Sequence, residues 1–310
     1  MKLFVIIVTY RGKLWYDRCF TSLRKTTIPV QTIVVDNASN DGSVEYIREH
    51  FPEFHLIESK ENLGFGRANN IGMRYALENG CDYVFLLNQD AWVEPDTFEK
   101  MIGIHQRHQE YGVLGCVNLV KEKNHILEGF IPTIFDIHNC SWSLIDDLYF
   151  LRLKEVYEVK SIMASAWLLP RHTLEIVGGF DPIFFHLGED DNYQQRVWYH
   201  GMKVGVCPQC PIVHDAQTIR LKEAIELRKK EYAQKREWIL DWCDVNNPEM
   251  TKNQAPILFG KFIKQCCQFN FTKASYYWQK YKCYCENRSS ICHSIVTNQK
   301  EGCHYLKDLD

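Results

Sequence analysis

Glu189-Asp190-Asp191 directly follow Gly188 and open a helix-favouring stretch. One or two acids there would complement a helix N-terminus. Three side by side repel one another, which raises the pKa of one and suits it to take a proton from a hydroxyl. A second cluster, Asn88-Gln89-Asp90, ends the apolar run Tyr83–Leu87. Strand alternation puts Asn88 and Asp90 on one side. A hard oxygen ligand there suits Mg²⁺ or Mn²⁺ bound jointly with a diphosphate, although a single Asp also reads as a solvated turn. Asp36 ends another apolar run, where a carboxylate can accept hydrogen bonds from a base or ribose. Asn40 and Asp41 behind it read as helix caps.

Other spacings say less. Asn62–Asn70 carries Gly64 and Gly66 at dinucleotide spacing, but Asn69 occupies the third place. The segment also follows the third strand rather than the first, which disfavours a nicotinamide oxidoreductase. Its glycines still let backbone N–H groups approach a phosphate. Cys207-Pro208-Gln209-Cys210 with His214 has zinc-like spacing, but no second cysteine pair is spaced to complete a structural site. Cys283, Cys285, Cys292-His293 and Cys303-His304 form no regular pattern.

The polar clusters need a scaffold that gathers strand ends, and the pattern supplies one. Leu3–Val8, Val30–Asp36, Phe54–Glu58 and Tyr83–Leu87 read as buried strands. Helical stretches over Leu14–Lys25, Ser43–Arg48 and Gly64–Asn79 separate them, and another starts at Glu94-Pro95-Asp96. This rhythm predicts a parallel sheet with right-handed crossovers, with ligands beyond the strands' carboxyl ends. Thr9-Tyr10, Asp36-Asn37 and Asn88–Asp90 fall at those ends. Residues 120–160 lack a clean period, Ser161–Leu169 reads as another buried strand, and Gly188–His200 as a helix. Ile219–Trp242 is a charged, helix-favouring stretch, and residues 253–285 read as two further helices.

Taken in order, these segments resemble the inverting family 2 glycosyltransferases with the GT-A fold, closest to the rhamnosyltransferase-like branch. The residues that carry the likeness are Ile7–Tyr10, Val34–Ser43, Asn62–Asn70, Leu86–Ala91, the block Gly178-Gly179-Phe180-Asp181…Phe184-Phe185…Glu189-Asp190…Arg196…Gly201, and Val213-His214. The resemblance covers residues 3–215 and implies a Rossmann-like, mostly parallel twisted α/β sheet flanked by helices. It implies a catalytic domain over residues 1–218; residues 220–310 find no clear match, and 219–310 read as a helical extension. It implies Asp190 as the base that deprotonates an acceptor hydroxyl, and Asp90 and His214 as ligands of a divalent cofactor, Mn²⁺ or Mg²⁺. Thr9, Tyr10, Asp36, Asn62, Gly64, Arg67, Asn88 and Glu189 would line the substrates. The donor would be dTDP-rhamnose or a UDP-sugar, and the acceptor a saccharide or lipid-linked glycan of a surface polysaccharide. Two departures stand out. Asn88 replaces the first Asp of the family's Asp-x-Asp motif, and Asn192 ends the acidic block where relatives commonly have Asp. They keep open a catalytically silent relative that binds sugar nucleotide or glycan.

Composition sets the outer bounds. The chain has 310 residues, 45% hydrophobic and 24% charged, with a net charge of −3. Long disorder is excluded, and nothing indicates a nucleic-acid partner. Thirteen scattered cysteines point to reduced thiols and a cytoplasmic setting. Residues 250–310 hold 9 Lys and Arg against 4 Asp and Glu. Interleaved aromatic residues in this tail suggest peripheral contact with the inner face of the plasma membrane.

Overall fold

The computed structural model describes residues 1–136, 138–140, 143–216 and 223–307. Along the first part of the chain run β1 (Leu3–Thr9), α1 (Lys13–Leu23), β2 (Gln31–Asp36), α2 (Ser43–His50), β3 (His55–Glu58), α3 (Gly64–Glu78), β4 (Tyr83–Leu87) and β5 (Ala91–Val93). There follow α4 (Thr97–Arg107), β6 (Tyr111–Leu119), α5 (Ile131–Phe135), α6 (Ser143–Tyr149), β7 (Tyr157–Glu158) and β8 (Ala166–Pro170). The chain continues through α7 (Arg171–Ile176), α8 (Glu189–Tyr199), β9 (Lys203–His214), α9 (Glu223–Cys243), α10 (Ala255–Cys267) and α11 (Phe271–Asn298).

One sheet runs in the order β3-β2-β1-β4-β8-β6-β9-β5, with β7 alongside β9. Strands β3, β2, β1 and β4 are mutually parallel, as the alternating pattern predicts. Beyond them the sheet is mixed, because β8 lies antiparallel between β4 and β6. The apolar runs are continuous because both faces are covered. Phe4, Ile6, Val84 and Leu86 enter one core, while Leu3, Val5, Ile7, Phe85 and Leu87 enter the other. Helix α3 lies close on β1, where a Cβ at Gly72 would stand 2.5 Å from Ile6 Cγ2.

Two element bounds differ from expectation, and the cysteine pair finds its place. The strand expected over Ser161–Leu169 starts only at Ala166. The preceding backbone bonds α8 side chains and the end of β4 instead of a strand ladder. Cys207-Pro208-Gln209-Cys210 lies inside β9, where the register against β6 shifts between Cys116/Cys207 and Val117/Pro211. Both thiols are buried, so this sequence forms a strand irregularity rather than a zinc knuckle. The start of the helix expected over Ile219–Trp242 lies outside the described residues, and α11 extends to Asn298.

The chain divides into two compact units, Met1–Gln217 with Glu301–Asp310, and Thr218–Lys300. The residues after Glu301 thus group with the sheet unit rather than with the helices before them. In the helical unit, Trp238 meets Tyr276 edge-on at 5.5 Å and Trp242 meets Tyr284 at 5.0 Å. No helix among the described residues is long and apolar enough to cross a membrane. Gly72→Ala should destabilise the sheet unit by roughly 1–3 kcal/mol through overpacking against Ile6. Urea unfolding followed by circular dichroism would check this as a lowered midpoint.

Candidate functional site

The carboxyl ends of β1, β2 and β4 carry the predicted polar residues and tie them to one another. Thr9 pairs with Asp36 in the β1–β2 register, and its hydroxyl donates to Asp36 Oδ1 at 3.0 Å. Asp36 Oδ2 accepts from the Ser39 N–H at 2.8 Å. Asp36 is only 1% exposed, so its carboxylate chiefly shapes the loop behind β2. Asn37 extends this loop to α3, donating to the Gly64 carbonyl at 2.9 Å and accepting from the Leu63 N–H at 3.2 Å. Asn62 caps the same turn by accepting from the Gly64 N–H at 2.9 Å.

Helix α3 is where the two halves of the sequence meet. Gly64 has φ +79°, and a Cβ there would stand 2.0 Å from the Phe185 carbonyl oxygen. Arg67 donates to the Pro182 carbonyl at 3.2 Å. Asn70 exchanges two buried hydrogen bonds with Phe180, accepting from its N–H at 2.7 Å and donating to its carbonyl at 2.8 Å. The Asn62–Asn70 segment therefore grips the Gly178–Phe185 turn, and Asn70 is a brace within it.

At the end of β4, Gln89 does work that its spacing did not announce. Its amide accepts from the Tyr10 N–H at 3.0 Å and donates to the Tyr10 carbonyl at 3.2 Å. A Cβ at Gly12 would lie 1.9 Å from Gln89 Oε1, so glycine at that position gives the amide room to reach the β1 loop. Asp90 lies beside the end of β9, where Ala91 pairs with His214 and Asp215 N–H donates to the Asp90 carbonyl at 2.9 Å. This brings Asp90 Oδ1 to 3.3 Å from His214 Nε2. His214 is buried, and its Nδ1 has no hydrogen-bond partner among the described residues. The two predicted ligands, far apart in sequence, are thus neighbours. Asp215 stands next to them with Lys121 at 3.6 Å and Arg18 at 4.0 Å, two cations the sequence reading missed. Among the described residues no group of three or more His, Cys, Asp or Glu forms a complete metal cage. A cation here would need oxygen ligands from a substrate as well.

Asp190 sits in the first turn of α8, entered through left-handed Leu187 and Gly188 at φ +68° and +92°. Its carboxylate accepts from the Asp191 N–H at 3.0 Å, and the Ala164 backbone N–H is near enough to favour its charge. Ser165, the next residue, accepts from the Asn88 N–H at 2.9 Å. Ala164 and Ser165 therefore join the acidic turn to the end of β4. Gln194 braces the same region, donating to the Asp190 carbonyl at 2.9 Å and accepting from the Ile162 N–H at 2.7 Å. Burial, with the Asp191 charge second, pushes the Asp190 carboxyl up to about 6. Asp191 is itself bonded by Ser161 at 3.0 Å, and Glu189 is buried against the Gly66 side of α3. Such a group is ionised in neutral solution yet basic enough to accept a hydroxyl proton.

Comparison with known proteins identifies the family. The family model described as Glycosyl transferase family 2 matches residues 4–150, and that of Glycosyl transferase family group 2 matches residues 83–246. The dTDP-rhamnosyl transferase RfbF of Shigella flexneri is 24% identical over 213 residues, 68% of each chain. The N-acetylglucosaminyl-diphospho-decaprenol L-rhamnosyltransferase of Mycobacterium tuberculosis is 24% identical over 236 residues, 68% of this chain and 75% of that one. The mannosyltransferase PcManGT from Pyrobaculum calidifontis, solved with GDP-Man and Mn²⁺, shares the fold at TM-score 0.54 and 16% identity, covering 96% of this chain and 86% of its own. With matching models that together reach from residue 4 to residue 246, the chain belongs to the family 2 glycosyltransferases, alongside relatives of the rhamnosyltransferase type.

Proposed function

We propose that this enzyme transfers a hexose, with inversion, from dTDP-rhamnose or a UDP-sugar to a hydroxyl of a saccharide or lipid-linked glycan in surface polysaccharide synthesis. The observation that carries the reading is Asp190, a carboxylate raised to about 6 in the first turn of α8 and close to Ala164, whose neighbour Ser165 is bonded to the end of β4. In this reading Asp190 takes the proton of the attacking hydroxyl as the new glycosidic bond forms. The nucleoside diphosphate leaves from the opposite face, so a single displacement inverts the anomeric carbon. Asp36, Thr9 and Asn37 hold the base-side loop, while Tyr10 and Asn88 stand beside it at the strand ends. Arg67, Gly64 and Asn62 fix the turn between donor and acceptor. Glu189 supports α8 from its buried side.

Asp90 and His214 suit a divalent cation, because the carboxylate Oδ1 and the imidazole Nε2 face each other at 3.3 Å. When bound, Mn²⁺ or Mg²⁺ would offset the negative charge that develops on the departing diphosphate. Lys121 and Arg18 can add to that stabilisation from the Asp215 side. The relatives named for dTDP-rhamnose and for a diphospho-decaprenol acceptor support the donor and acceptor classes.

A lipid-linked acceptor makes membrane contact useful, and the helical unit offers a surface for it. Between Glu249 and Glu286 the chain carries six lysines and no acidic residue. Helix α10 buries only Leu258, leaving Ile257, Phe259 and Ile263 exposed, and Phe269 and Phe271 are exposed just beyond it. Apolar groups among cations match an anionic lipid surface at the inner face of the plasma membrane. Lys280 is no part of that surface, since it lies over the Trp238 and Trp242 rings at 5.6 Å each.

Asp190→Asn should lower transfer by about 10²–10⁴-fold while keeping nucleotide binding, and wild-type transfer should rise as pH climbs through about 6. Near-normal turnover in that variant removes Asp190 from the role. The folded chain holds this proton more tightly than the unfolded chain, so the associated stability is lost as pH rises through about 6. Asp190→Asn should therefore raise Tm in mildly alkaline buffer relative to wild type. Thermal melting with UDP, dTDP, GDP and CDP should show one preferred nucleotide whose stabilisation grows with Mn²⁺, a growth that His214→Ala abolishes. The full chain should float with anionic vesicles, and replacing Phe269 and Phe271 by Ser should release it. Equal flotation of both proteins would contradict membrane docking through this surface.

A further inference from the structure

After the helical unit the chain returns to the catalytic unit, beyond the residue 246 at which the family models stop. Its short closing segment is bonded to the acceptor-side turn at three successive points. Gly302 N–H donates to the Ile176 carbonyl at 2.8 Å, and Gly179 N–H donates to the His304 carbonyl at 2.8 Å. The Tyr305 hydroxyl donates to Asp181 Oδ2 at 3.1 Å. Leu306 is 1% exposed and lies in the same core as Phe180, Trp167 and Tyr193.

The fit is close. A Cβ at Gly178, which has φ +80°, would stand 2.3 Å from the His304 carbonyl oxygen. One at Gly179 would stand 2.6 Å from Leu306 Cδ2. From the other side the buried Arg196 guanidinium donates to the Val177 and Gly179 carbonyls at 2.8 and 2.6 Å, and faces the Tyr305 ring at 5.6 Å. The turn is therefore held between α8 and the closing segment.

Asp181 is the link to the chemistry. One oxygen accepts from Tyr305, and the other accepts from the Ile183 N–H at 3.0 Å. From Asp181 the chain runs through exposed Phe185, His186 and Leu187 to Gly188 and the acidic turn. This loop ends at the two left-handed residues that aim the first turn of α8.

We propose that the segment Gly302–Leu306 is a strap that sets the acceptor loop, and that Tyr305 is a positioning residue acting through Asp181 on the base. The proposal rests on the functional reading above, in which Asp190 receives the acceptor proton. Leu306 supplies the strap's packing and Tyr305 its control of the loop. A looser loop admits water to Asp190, and hydration returns a buried carboxyl toward its ordinary range. The charged group facing Asp190 is Asp191 on its own helix, and the closing contact from the 161–165 segment is the Ala164 N–H.

The test uses the full chain. Tyr305→Phe removes one hydroxyl, and Leu306→Ala removes packing without touching Asp181. Tyr305→Phe should lower kcat/KM for the acceptor roughly five-fold, the worth of about one hydrogen bond. It should also move the acid limb of the pH profile to lower pH, with Tm and nucleotide-driven stabilisation unchanged. Leu306→Ala should lower Tm and leave the acid limb in place. An active wild type whose Tyr305→Phe variant has the same acid limb and acceptor kcat/KM overturns the strap alone. A wild type that transfers no sugar from any nucleotide donor overturns the functional reading, and the strap's role with it.

Discussion

The site depends on the buried exchange between Asn70 and the Phe180 backbone. Phe180 lies 110 positions further along the chain, and both hydrogen bonds are buried. Each bond contributes only about 1 kcal/mol net, but leaving those groups buried without partners costs more than the bonds supply. The pairing is thus strongly specified. It fixes the start of α3 against the Gly178–Phe185 turn, and Gly64 and Gly66 permit the close approach that α3 then makes. The nucleotide-side loops hang from one partner and the acidic turn of α8 from the other. Without this exchange the Asn62–Asn70 segment would lose its buried hold on the turn that leads to Asp190.

The remaining polar contacts form a second tier that sets distances within the site. Gln89 holds the β1 loop to the β4 end, and Ala164-Ser165 hold the β4 end to Asp190. The ladder between β5 and β9 carries His214 to Asp90. The β5–β9 ladder and the Ser165–Asn88 bond are backbone on both sides, while the Gln89 amide reaches backbone groups of Tyr10. The raised pKa of Asp190 follows from the same arrangement. Burial disfavours its charge and Asp191 adds repulsion, while the Asp191 N–H bonds the carboxylate. Left-handed Leu187 carries a backbone cost, of the kind that clusters at working loops.

Much of this was legible in the sequence. The strands β1 to β4 announced themselves because a parallel strand buried on both faces must be apolar throughout. The abrupt polar ends of β1, β2 and β4 marked the candidate site for the same reason. What was hidden depends on partners distant in sequence. The place of β8 between β4 and β6 is written in no local pattern, and the backbone just before it bonds α8 instead of a neighbouring strand. Residues Tyr111–Leu119 are broken by two glycines and Lys203–His214 by two prolines, so neither gave a clean strand signal. Asn70 reads as one more polar residue in a loop motif until Phe180 is beside it. Tyr305 lies in a terminal stretch whose character is set by the turn it binds.

The most direct test of the account is the position of a bound cation. Crystals grown with Mn²⁺ and the preferred nucleoside diphosphate would show it by anomalous scattering at the manganese edge. The account predicts one manganese ion shared by Asp90, His214 and the diphosphate oxygens, with the nucleotide base at the Asp36 loop. Manganese bound elsewhere, or a nucleotide seated away from the ends of β1, β2 and β4, would contradict it.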